Sequence, residues 1–291
     1  MQNLEEILEI ARSVAKGAAE LLRSYYHGSG DRNLKVQYKQ DEPVTVADIA
    51  VNQFILERLK ADLDDDFGYI SEETDVLKQI QRESSQWVWI IDPLDGTRDF
   101  IQKTGEYAIH IALVKETRPV LAVVAVPEAE KLYYATQGGG AFVESSNGIE
   151  PLKVSLRERI EDLTIVVSRS HRNQRLDYLL QRLPFKNQKA VGSVGCKIAT
   201  IVEQRADVYI SLSGKSAPKD WDLAAPELIL TEAGGRFTHF DNTPLQYNTG
   251  DVNQWGGLLA SNGQSHDWLC REAERILLEF DSLNANSDGL I

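Results

Sequence analysis

The chain has 291 residues, of which 42% are hydrophobic and 26% charged, and its formal net charge is −13. That length and apolar content support one large or two intimately packed cored units. The acidic balance excludes an extended nucleic-acid partner, which needs a basic face, so an anionic substrate would have to draw positive charge from metal ions.

Residues 3–26 place Leu4, Ile7, Leu8, Ala11, Val14, Ala15, Ala18, Leu21, Leu22 and Tyr25 on one helical face, with Asn3 and Glu6 as a capping pair. The alternating LKVQY reads as a strand. A helix from about Val46 to Leu63, capped by Thr45, follows. FGYI, WVWII, YAIHIALV, VLAVVAV and KLYYA read as consecutive strands, an α+β arrangement. The glycines at 138–140 between KLYYA and AFVE read as a hairpin turn.

Beyond Pro151 the pattern alternates: LTIVVS strand, a helix near 174–183, VGSVGCKIATIVEQ helical, ADVYIS strand, WDLAAPELILTEAG helical, GGRFTHF and GGLLAS strands, HDWLCREAERILLEF helical. This predicts a largely parallel α/β layer. The expected division is a 1–153 α+β part bearing a metal site and a 154–291 α/β part bearing substrate-binding elements and one metal ligand. The polar tail DSLNANSDGLI reads as frayed.

The two cysteines, Cys196 and Cys270, and the five histidines show no zinc-type spacing, so the cysteines read as reduced thiols. The N-terminal stretch lacks a leader pattern, and the longest apolar run, LAVVAV at 121–126, is too short to span a membrane. A soluble, cytoplasmic protein without a membrane partner is expected.

In WVWIIDPLDGTRDF, a buried strand is read as stopping at Asp92-Pro93, where the chain turns and Asp95-Gly96-Thr97 start a helix or turn. The Gly96 and Thr97 amides can then cradle an anion. YISEE ends another strand at Glu72 and Glu73, and Asp222 precedes an apolar helix in KDWDLAAPELIL. An isolated D-x-x-D is usually a turn or cap. Three such acidic ends together match oxygen-only ligation of Mg²⁺. DLDDDFGYISEE is not a calcium loop, because Phe67 stands where that loop needs glycine.

YISEE, DPLDGTRDF and WDLAAPELILTEAGG, with VTVADIAV around Asp48, resemble the signatures of the inositol monophosphatase family of Mg²⁺-dependent, lithium-sensitive phosphatases, across roughly residues 4–280. The resemblance implies a layered αβαβα sandwich. It implies Glu72, Asp92 and the Leu94 carbonyl on a first metal, and Asp92, Asp95 and Asp222 on a second, with two or three Mg²⁺ per site. Asp48, Thr97 and Glu72 form the implied catalytic set, Asp48 and Thr97 polarising the attacking water. Ser71 stands where the family usually has glycine.

TRDF, VVSRSHRN, GSVGCKI and WDLAAPE resemble the 3'(2'),5'-bisphosphate nucleotidase branch. Gly96, Thr97, Ser170, His171, Arg172, Lys197 and Asp222 are the expected substrate contacts, the basic ones serving a second phosphate. The implied reaction is hydrolysis of 3'-phosphoadenosine 5'-phosphate to AMP and phosphate, linked to sulfate assimilation. Alternatives are an inositol or sugar phosphatase with the same metal site and a catalytically silent metal or nucleotide sensor. A homodimer is common in the family, although no isolated apolar stripe demands one.

Overall fold

The computed structural model of the chain describes residues 3–28, 36–39, 42–63, 67–74, 85–169 and 172–288. Helix α1 (Leu4–Tyr26) and helix α2 (Val46–Asp62) are both closed by capping boxes, Asn3 with Glu6 and Thr45 with Asp48. Between them β1 (Gln37–Lys39) pairs with β2 (Glu42–Val44). A seven-stranded sheet follows in sequence order: β3 (Gly68–Ser71), β4 (Trp87–Asp95), β5 (Ala108–Lys115), β6 (Arg118–Val126), β7 (Lys131–Thr136), β8 (Gly140–Ser145) and β9 (Gly148–Pro151). Only its β3–β4 ladder is parallel. The short helix α3 (Thr97–Ile101) sits between β4 and β5.

The later residues form β10 (Thr164–Ser168), α4 (Gln174–Arg182), β11 (Asn187–Val191), α5 (Val194–Val202), β12 (Val208–Leu212), α6 (Asp220–Glu232), β13 (Arg236–His239), β14 (Gly257–Ser261) and α7 (His266–Asp288). Their sheet runs β11-β10-β12-β14-β13.

Period-two alternation in β4 sorts the layers. Trp89 and Ile91 face a core shared with Val14, Ala18 and Leu22 of α1 and Val51, Ile55 and Leu59 of α2. Val88 and Ile90 face the opposite core, which holds Ile198 and Ile201 of α5, Leu223, Ala224 and Leu228 of α6, and Val166 and Tyr209 of the second sheet. On that sheet's far side, Ile165 and Val167 pack with Leu176 and Leu179 of α4 and Leu269, Ala273 and Ile276 of α7. The result is the αβαβα sandwich that the resemblance implies. No helix among the described residues is long and apolar enough to cross a membrane.

Four local expectations are corrected. Strand β4 does not stop at Asp92: Pro93 sits in a bulge, Leu94 N donates to Asp92 Oδ1 (2.9 Å), and pairing resumes at Asp95 with Ala108. The second sheet is mixed, because β14 is antiparallel to both β12 and β13. Strand β11 was not anticipated, and the following helix begins at Val194 rather than near Val191. β11 is an edge strand, exposed from Asn187 to Ala190, so its polar NQKA carries no alternation. The polar tail is helical to Asp288. Ser282 Oγ donates to the Leu278 carbonyl (2.8 Å) and Asn284 Nδ2 to the Phe280 carbonyl (2.9 Å), and adding turns to a packed helix costs little.

Candidate metal centre and substrate cavity

The strand ends deliver acids to one place. Parallel pairing of β3 with β4 continues through Glu72 N to the Ile91 carbonyl (3.3 Å), which sets Glu72 beside Asp92. Ser71 holds the turn from below, donating to Asn52 Oδ1 of α2 at 2.6 Å. The bulge after Asp92 brings Asp95 round to the same side. Asp222 arrives in the first turn of α6, the helix packed between the two sheets. Carboxylate oxygens of Asp92, Asp95 and Asp222 lie within 4.8 Å of one another.

Hydrogen bonds from neighbouring backbone and side chains anchor each aspartate. Asp92 Oδ1 accepts from Leu94 N, and Asp222 Oδ2 accepts from Lys219 N at 2.7 Å. Asp95 Oδ2 accepts from Ser193 Oγ (2.5 Å) and Gly195 N (3.1 Å) at the N-terminus of α5. Asp48 Oδ2 accepts from Thr45 N (2.7 Å) and Thr45 Oγ1 (2.6 Å), while its Oδ1 faces the Thr97 hydroxyl at 3.3 Å. The Thr97 hydroxyl also reaches the Leu94 carbonyl at 3.1 Å.

Burial, then repulsion from Asp222, Glu73 and Asp48, pushes the Glu72 carboxyl well above the usual carboxylate range. Asp92 is raised in the same way by burial and then by Glu72, Asp95 and Asp222. Burial also raises Asp48, against its hydrogen bonds from Thr45. Buried acids that repel one another, with only oxygen donors at hand, fit one or more hard divalent cations.

Glu72, Asp92, Asp95 and Asp222 line a cavity of about 520 Å³. Its lining includes Thr97, Arg98, Val194, Lys197, Tyr209, Trp221 and Lys219, with Arg172 and Lys215 exposed to solvent. Lys197 is buried, donates to the Gly192 carbonyl and lies 5.2 Å from the Tyr209 ring centroid. Arg172 pairs with Asp177 at 2.6 Å. Of the sequence-derived residues, Glu72, Asp92, Leu94, Asp95, Gly96, Thr97, Arg172, Lys197 and Asp222 line this cavity. Asp48 reaches it through Thr97. Ser170 and His171 lie outside the described residues.

Sequence reasoning missed several neighbours. Buried His110 stands with Nε2 3.3 Å from Asp95 Oδ2 and Nδ1 3.3 Å from the Trp221 carbonyl. Burial lowers its pKa, against the pull of Asp95. Asp220 holds the following loop, accepting from Asn248 N (2.9 Å) and Gln254 Nε2 (2.8 Å). Arg169 bridges Asp99 (3.4 Å) and Glu106, and Glu106 accepts from Gly192 N at 2.8 Å. Gly192-Ser193 before an apolar helix is a readable cap signal. His110 in mid-strand gave none.

The profile of the inositol monophosphatase family matches residues 3–278. The chain belongs to the inositol monophosphatase family. Among its family relatives, the 3'(2'),5'-bisphosphate nucleotidase CysQ of Aggregatibacter actinomycetemcomitans is 34% identical over 248 residues, covering 84% of this chain and 87% of that protein. The protein of the same name from Salmonella typhimurium is 34% identical over 245 residues, covering 84% and 93%. Among solved family structures, CysQ from Bacteroides thetaiotaomicron is similar with a TM-score of 0.73 at 27% identity, covering 88% of this chain and 97% of its own. The Thermotoga maritima IMPase shares the fold, with a TM-score of 0.77 at 23% identity over 94% and 98% of the two chains.

Proposed function

We propose that this phosphoric monoester hydrolase is a Mg²⁺-dependent 3'(2'),5'-bisphosphate nucleotidase that converts 3'-phosphoadenosine 5'-phosphate to AMP and phosphate. The observation that carries the reading is the cavity's mixed lining: the clustered acids share it with Lys197, Arg172, Lys215 and Lys219. A ligand that carries two phosphates on one ribose, with an aromatic base attached, matches that lining. Tyr209 and Trp221 supply apolar wall for the base. The names of the most similar relatives point the same way.

In this reading Glu72, Asp92 and the Leu94 carbonyl hold one cation, and Asp92, Asp95 and Asp222 hold another. Bound there, the cations supply the positive charge that a transferring phosphoryl group requires and make water more acidic. The protein's own part is placement. The Thr97 hydroxyl donates a hydrogen bond to Asp48 Oδ1 or to the Leu94 carbonyl, so its lone pairs are left to accept a hydrogen bond from the attacking water and orient it, with the Asp48 carboxylate behind it as the group that can receive the proton. Asp48 is locked by its cap bonds, which keeps that acceptor in place. Gly96 lets the chain turn there with φ at 91°, and a Cβ at that position would come within 3.0 Å of the Glu106 carbonyl. Lys197, Arg172 and Lys215 serve the second phosphate. Li⁺ inhibition, cytoplasmic location and a link to sulfate assimilation belong to the same proposal.

The test is phosphate release with Mg²⁺ from 3'-phosphoadenosine 5'-phosphate and from inositol 1-phosphate. A nucleotide preference above about a hundredfold, roughly 2.7 kcal/mol in the transition state, is expected. A preference for inositol phosphate would keep the acid cluster and discard the second-phosphate wall.

A further inference from the structure

Asp95 is held differently from the other acids. Its Oδ2 takes the Ser193 hydroxyl at 2.5 Å and the Gly195 amide at 3.1 Å, while His110 closes in behind at 3.3 Å. All three contacts fall on one oxygen, and no described residue donates to Oδ1. The approach of α5 is tight: a Cβ on Gly195 would lie 2.4 Å from His110 Nε2 and 2.9 Å from Val124 Cγ1. Only glycine lets that amide come so close. Ser193 meanwhile caps α5, its oxygen accepting from Cys196 N at 3.2 Å while its proton goes to Asp95. One hydroxyl therefore satisfies a helix end and orients an acid of the cluster.

We infer that Ser193 is a positioning residue for cation binding: its hydroxyl, with the Gly195 amide, fixes Asp95 through Oδ2, so that this carboxylate meets Asp92 and Asp222 in one orientation. A carboxylate free to rotate would spend part of its time turned from the cation and would lose that freedom on binding. Outer hydrogen bonds of this kind typically change metal affinity by about 10- to 100-fold. The inference rests on the cation-dependent phosphatase reading above.

The experiment is calorimetric titration of the full-length protein with Mg²⁺ and with Mn²⁺, without substrate, for wild type, Ser193→Gly and Ser193→Thr. Glycine caps a helix with only a small loss but has no hydroxyl, so it separates capping from donation. Ser193→Gly is expected to weaken at least one cation about 10- to 100-fold, while Ser193→Thr, which keeps both functions of the hydroxyl, stays near wild type. Cation affinity of Ser193→Gly within twofold of wild type overturns the inference and leaves the proposed function standing. If Ser193→Gly fails to fold, Ser193→Cys, near in size but a weak donor, replaces it with the same expectation and the same overturning result. A wild-type protein that takes up neither ion at about 10 mM overturns the proposed function together with the inference.

Discussion

The Thr97 hydroxyl stands 3.3 Å from Asp48 Oδ1, joining the start of α3 to the first turn of α2. Asp48 spends its other oxygen on the α2 cap, so the pair is rigid before any ligand arrives. Thr97→Val removes the hydroxyl at nearly constant volume and leaves the cap intact. Turnover should fall by about 10²- to 10⁴-fold, the usual scale for breaking a proton-transfer arrangement, with thermal stability close to wild type. Steady-state phosphate release alongside a melting curve checks this. Retained turnover would remove Thr97 from the catalytic set.

Asp92 is buried among like charges, so without cations the site opposes folding. Mg²⁺ in millimolar excess should raise the melting temperature of the wild type, as any ligand of the native state does. Asp92→Asn should melt higher than wild type in EDTA, because one repelling charge is gone, and should lose most of the Mg²⁺ response. Melting curves of both proteins with and without Mg²⁺ decide it. An EDTA melting point for the variant well below wild type would show that Asp92 contributes structure beyond its charge.

Lys215 is an exposed lysine in the cavity lining. As a contact to a second phosphate, Lys215→Met should raise KM for 3'-phosphoadenosine 5'-phosphate by roughly 10- to 150-fold, the worth of one charged hydrogen bond of about 1.5–3 kcal/mol. The KM for adenosine 3'-monophosphate should change less than twofold. Equal losses on both substrates would assign Lys215 to loop structure instead.

His266 starts α7, buried between Thr238 Oγ1 at Nε2 and Ser261 Oγ at Nδ1, both at 2.8 Å. Burial first, and then Arg236, lower its pKa to about 4. A depressed folded-state pKa means that the unfolded chain takes up the proton first. Stability from the neutral imidazole is therefore complete above about pH 6.5 and drains away as pH falls through about 4, by roughly 3 kcal/mol in total. His266→Gln should flatten that part of the curve relative to wild type. Urea unfolding of both proteins at intervals between pH 7 and pH 4 measures the difference, and parallel curves would refute it.

The acidic cluster was legible because its members flank apolar runs, Glu72 and Asp92 just after strand-forming runs and Asp222 at the start of a helix, and that leaves a trace in composition. Asp48 was legible only through the family's helix motif. The layers followed from periodicity, since Trp89 and Ile91 alternate with Val88 and Ile90 in the way a strand covered on both faces must. What stayed hidden is tertiary. Ser193 reads as a cap, but its donation to Asp95 crosses between distant segments and leaves no spacing. His110 looks like any strand residue until α5 and α6 close over it. β11 was missed because an edge strand open to water has no reason to alternate. Pro93 misled in the other direction: proline usually ends pairing, yet the ladder resumes beyond it because Asp92 itself accepts the displaced Leu94 amide.

Helix α6 lies between the two sheets and carries Asp222 in its first turn, whereas Asp92 and Asp95 belong to the earlier sheet. During synthesis the acidic pair of β4 emerges long before Asp222. The nascent chain must therefore keep an apolar sheet face and a half-built anionic pocket in water until the later helix slots in. Under the proposed function, uptake of a divalent ion needs all of these segments in place. It should report the docking of α6 rather than the formation of the first sheet, and a ribosome-stalled chain ending before residue 220 should hold the ion weakly, however well its strands have paired.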